Sequence, residues 1–249
     1  MSDDKRSASL SGAGKLSGGE YTRVSISGAG KVQGDIKAEE LRISGAGKVE
    51  GRVDALQITV SGSGAFAGDV IADEMRVSGA ARIDGAARVK ELKCSGSYRA
   101  KGSISAEYIK ASGQIRVGGD VEADMFKATG GFEIEGLLSA DKIEVRLGGR
   151  CSAREIGGER IDIRRGGFRD RGILLDGLVR MFSGSGAAEL RVTQIEGDEI
   201  HLEDTTADIV RGKKVEIGPG CRISLVEYAD TLDVHPDARV EKRTKSGSG

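Results

Sequence analysis

The chain has 249 residues, with 38 Lys and Arg against 39 Asp and Glu and a formal net charge of −1 at pH 7. That balance lacks the electrostatic footprint of a general nucleic-acid binder, and no apolar run approaches the roughly 20 residues a helix needs to cross a bilayer. With no Trp, 4 Tyr and 5 Phe, the chain also offers little to a carbohydrate-active enzyme that needs aromatic platforms.

Residues 1–10, MSDDKRSASL, are polar and lack a basic start followed by an apolar run, so they read as a disordered tail and neither a signal peptide nor an anchor. From Ser11 a repeat takes over. SGAGKLSGGEYTRVSI is followed by SGAGKVQGDIKAEELRI at Ser27, and that unit is rewritten at equal length from Ser44, Ser61, Ser78, Ser95, Ser112 and Thr129. A fixed period of this length marks a solenoid, in which each unit buries its apolar face against its neighbours.

Counting the Ser of Ser27-Gly28 as position 1, apolar residues recur at positions 6, 10, 12, 15 and 17, as in Val49, Val53, Ala55, Ile58 and Val60. Pairs two apart are the period of a strand. Three short strands per repeat, with corners at Ser-Gly, at the glycine of position 8 and around positions 13 and 14, make one coil of a parallel β-helix. A flexible linker has no reason to hold apolar residues in phase over eight copies.

The β-helix repeats span residues 11–163, the last of them in RLGGRCSAREIGGERIDI from Arg146. Residues 164–189 lose the phase and are expected to be an irregular insertion. Its arginines Arg164, Arg165, Arg169 and Arg171, beside Ile173, Leu174, Leu175, Leu178, Val179, Met181 and Phe182, are a candidate patch for a partner or anionic lipid. The competing reading is a solvated outer face followed by a packed insertion. Residues 190–241 regain the strand rhythm with Ile200 and Leu202, Val215 and Ile217, and Leu232 and Val234, and residues 242–249 read as a second disordered tail.

Cys94, Cys151 and Cys221 are far apart and flanked by alternating apolar residues, which suits reduced core thiols. His201 and His235 are expected as isolated surface or corner residues. No phosphate-binding loop, metal-ligand spacing or nucleophile constellation is present, so the sequence implies no cofactor and no catalytic site.

The SGxG repeats of residues 11–145, together with VEIGPGCRISLVEYADTLDVHPDARV from Val215 to Val240, resemble the bactofilins, the polymer-forming bacterial cytoskeletal proteins. The resemblance implies a right-handed β-helix that assembles end to end without nucleotide. It implies partners too: the chain itself, a related chain, and client proteins in cell-shape, envelope or motility processes, with cytoplasmic placement, at most peripherally at the inner face of the membrane. The chain departs from the pattern in its irregular middle and in a start without an apolar leader.

Self-assembly also has a physical motive, because a β-helix ends in uncovered strand edges and an uncovered apolar cross-section. The candidate ends are Leu16, Tyr21, Val24 and Ile26 on one side and Leu232, Val234, Ala238 and Val240 on the other. Two alternatives carry different expectations. A non-polymerising β-solenoid would dock a partner on one face, and a β-helix enzyme acting on carbohydrate would need clustered acids and long loops that the repeats lack.

Overall fold

The computed structural model describes residues 6–166 and 188–246. Over these the chain is all-β and winds into a parallel β-solenoid of about 13 turns. Each strand pairs in parallel with the one a coil later: Val53–Val60 lies between residues 36–43 and Val70–Val77, with every partner exactly one repeat away in sequence. Three inward columns result, from positions 4 and 6, 10 and 12, and 15 and 17, and their side chains make one continuous core.

Between residues 46 and 128 the three expected sides appear as two runs per coil, a short one such as Ala46–Val49 and a long one such as Val53–Val60. The long run bends without leaving strand conformation. Its pairing skips Leu56 at position 13, and the inward alternation restarts there, from Val53 and Ala55 to Ile58 and Val60.

Position 4 is the part of the core that a search for apolar columns overlooks. It is glycine in Gly30, Gly47 and Gly64, then Ala81, Tyr98, Ile115 and Phe132. A Cβ added to Gly47 would stand 3.0 Å from Cγ2 of Ile43, so the space belongs to the position-17 side chain of the copy before. As position 4 grows, that partner shrinks, through Val60, Val77 and Cys94 to Ala111 and Ala128. The two positions trade size in opposite directions, as close packing favours where they share space.

The corners use two devices. At Ser-Gly the coils approach so closely that a Cβ on Gly79 would lie 2.0 Å from the carbonyl oxygen of Gly62. At position 9, Asp35 Oδ1 accepts the Arg52 N–H at 2.8 Å, Asp69 Oδ1 that of Ala86 at 2.9 Å, and Asp120 Oδ1 that of Leu137 at 2.8 Å. Each carboxylate thus satisfies a backbone donor that the turning chain removes from the ladder.

Two boundaries differ from those read in the sequence. Arg6–Leu10, expected in the first tail, is a strand that pairs with residues 21–26 and sets Ala8 and Leu10 over Val24 and Ile26. Arg239–Lys245 pairs with residues 222–228, which takes residues 242–245 out of the second tail. Such short alternating segments are enough when a finished coil supplies a template. In the middle, Arg164 and Arg165 close the strand Arg150–Arg165 and Glu189 opens Glu189–Leu202. These two strands stack directly although the insertion separates them in sequence, with Ile163 on Leu202 and Ile156 on Ile195. The next coil is shorter than the repeat, with Ile200 on Val215.

Candidate assembly ends

At the N-terminal end, residues 6–10 and 14–17 carry strand edges with no coil before them among the described residues. Ala8, Leu10 and Leu16 lie half-buried on the core there. Tyr21, Val24 and Ile26, expected in this end layer, are instead fully inside, because Arg6–Leu10 covers them. The sequence hid this because so short a covering strand shows too little alternation to be read alone.

At the C-terminal end, residues 231–234 and 239–245 form the last edges among the described residues. Leu232, Val234, Ala238 and Val240 are half-buried against the core, as the sequence placed them, and Tyr228 joins them. Leu232 and Val234 continue the column that Ala8 and Leu10 begin, and Val240 continues that of Leu16. The third column closes differently. Arg243 stands where the previous coil holds buried Val226, and Lys245 follows Tyr228, so charged residues occupy core register positions. Inward-register charges of this kind blunt a strand edge. Two of three core columns therefore reach both ends as apolar surface, and among the described residues no helix covers either end.

The arginine patch divides. Arg164 Nε lies 2.6 Å from Asp162 Oδ1. Arg165 grips Asp204 through Nε at 2.5 Å and Nη2 at 2.7 Å. The acids beside these two guanidinium groups raise their already high pKa values further, and Arg165, through Asp204, joins coils on either side of the insertion. Arg169, Arg171 and the apolar stretch from Ile173 to Phe182 lie outside the described residues.

His201 is on the outer surface, as one of the expected alternatives had it, but is not isolated. It sits on an outward column with Nδ1 2.9 Å from Glu216 and Nε2 3.5 Å from Glu203. His235 Nδ1 accepts the Asp237 N–H at 3.1 Å in the turn before the last strand. The three thiols are buried, and desolvation pushes each up to about 11, which keeps them protonated and unreactive at neutral pH. Among the described residues no cluster of His, Cys, Asp and Glu is arranged to hold a metal, and no helix is long and apolar enough to cross a membrane.

Residues 7–88 match the family model of the bactofilins, described as polymer-forming and cytoskeletal. Two uncharacterized proteins of Bacillus subtilis (strain 168), YhbF and YhbE, are similar over 51 residues at 47% and 53% identity. Each match covers 20% of this chain and 22% of the relative, so the chain aligns with about a fifth of the length of these relatives. No solved structure matches the chain.

Proposed function

From a chain whose residues 7–88 belong to the polymer-forming bactofilin family, we propose a cytoskeletal element that assembles through its solenoid ends, without nucleotide, into filaments that scaffold envelope or motility proteins. The observation that carries this reading is the pair of apolar ends, Ala8, Leu10 and Leu16 on one and Leu232, Val234, Ala238 and Val240 on the other. An end of this kind has an obvious partner in another end. Strand pairing across the joint satisfies edge N–H and C=O groups that otherwise face water, and the two columns bury apolar area worth about 25 cal/mol per Å² before the cost of association. The chemistry of the joint needs no bound cofactor, and the work of the protein in this reading is structural. We place it in the cytoplasm, with contact to the inner face of the membrane made through its clients.

The test is sedimentation of the Leu10→Glu and Val234→Glu variants beside the parent chain. Both positions are half-buried at an end, so the variants are expected to melt close to the parent while their pelleting concentration rises at least tenfold. Unchanged pelleting in both variants would remove the ends from the assembly mechanism.

A further inference from the structure

In the three-cornered coil the short run, positions 3 to 7, lies opposite the corner at position 13. Position 5 points outward from the middle of the short run and is basic over most of the solenoid. Lys31 stacks on Lys48, and Arg82 on Arg99 and then Arg116, while Arg191, Arg222 and Arg239 continue the column beyond the insertion. Ala65, Ser152 and Thr206 are its neutral members and Glu133 its exception. Position 13 is the reverse. Asp73, Glu107, Asp124, Asp141, Glu159 and Asp198 stand at that corner, all exposed, and Lys90 and Lys213 interrupt them.

The chain is close to neutral as a whole, yet these columns carry opposite signs on opposite sides. They cannot neutralise each other within one chain, because the core lies between them. Local pairing leaves both in excess. Over residues 29–118 the acids of the basic side are Glu50, 2.7 Å from Lys31, and Asp84, 3.0 Å from Arg82, and Lys101 adds a further base there. At the acidic corner Lys90 holds Asp73 and Lys213 holds Asp198, each at 2.9 Å. Further acids surround both lysines, Glu107 near Lys90 and Glu159 and Asp230 near Lys213. The ledge beside the basic column is made of small residues, Ala29, Ala46, Ser63, Ala80 and Ser97 at position 3, so a ridge can approach it closely.

We propose that the basic side of one solenoid docks the acidic corner of a second copy of the chain. A copy carries the opposite column at the same pitch, about 4.8 Å from coil to coil, so base and acid meet row after row without distorting either chain. Parallel and antiparallel copies both present the corner to the side, and the two faces define the contact whichever way the second chain runs. The contact is heterologous: each solenoid in a pair keeps one free basic side or one free acidic corner, so rows of solenoids can grow. Exposed ion pairs are individually weak, and repetition over many coils makes the contact both cumulative and salt-sensitive. The inference does not depend on end stacking, since it concerns the flanks of the solenoid.

The experiment is carbodiimide coupling of the full chain at low salt, with isotopically heavy and light chains in equal mixture and the linked peptides read by mass spectrometry. Links between a heavy and a light chain report contacts between copies. They are expected to join Lys31 and Lys48 to acids of the position-13 column and to disappear at high salt. Arg82→Glu, Arg99→Glu and Arg116→Glu together are expected to lower these links at least tenfold. Arg76→Glu, Lys93→Glu and Lys110→Glu make the same change of net charge on another side and are expected to leave them within about twofold, with thermal melting to show that both variants fold. Absence of links between the two columns in the parent chain would overturn the proposal, as would equal loss in the two variants. So would co-sedimentation with phosphatidylglycerol vesicles that needs Arg82, Arg99 and Arg116 while no mixed-isotope link forms, a result that assigns the basic side to an anionic surface.

Discussion

The compensation between positions 4 and 17 makes a strong prediction about coupling. Ala128 and Phe132 are both about 1% exposed, and Phe132 packs edge-on against Phe126 with ring centroids 5.6 Å apart. Ala128→Val adds two carbons to a filled site and is expected to cost about 1–3 kcal/mol. Phe132→Ala removes a buried ring and is expected to cost about 3–5 kcal/mol. Together they recreate a pair that the chain already uses, Val77 with Ala81. The double variant is therefore expected to be more stable than the sum of the single losses by about 1–2 kcal/mol, within the range typical of residues in contact. The measurement is urea denaturation of the four proteins, followed by circular dichroism. Losses that add to within about 0.5 kcal/mol would refute the shared-volume reading.

Gly79→Ala is expected to destabilise the solenoid by about 1–3 kcal/mol, because its Cβ would meet the Gly62 carbonyl oxygen at 2.0 Å. Gly12→Ala, in the same Ser-Gly motif, is expected to be nearly neutral by thermal melting, since nothing lies within 4 Å of that Cβ. Lys142 and Lys127 hold the Glu144 carboxyl down to about 2, from an ordinary value of 4.5. A depressed carboxylate contributes stability that is complete above its unfolded pKa and lost as pH falls through its folded one. The melting temperatures of the parent and Glu144→Gln should therefore differ by a constant amount above about pH 4.5 and converge toward pH 2; a gap that persists at pH 2 would contradict the assignment.

Much of the fold was legible because a solenoid writes its contacts into its period. Residues such as Val53, Ile58 and Val60 announce strand, column and neighbour at once, each being stacked on its equivalent in the next repeat. Position 4 was not legible, since its size varies inversely with that of position 17, and a column that begins with Gly30, Gly47 and Gly64 does not look like core. The end strands failed for another reason. Whether RSASL and RVEKRTK form strands depends on the coil that receives them, which local alternation in so few residues cannot report. Tyr21, Val24 and Ile26 were misplaced as an outer layer by the same omission, whereas Leu16, Leu232, Val234, Ala238 and Val240 lie where periodicity set them.

The most direct measurement is negative-stain electron microscopy of the purified chain over a concentration series, at low and moderate salt and without nucleotide. The account predicts thin filaments of uniform width whose length grows with concentration. Discrete particles one solenoid long at every concentration would contradict it.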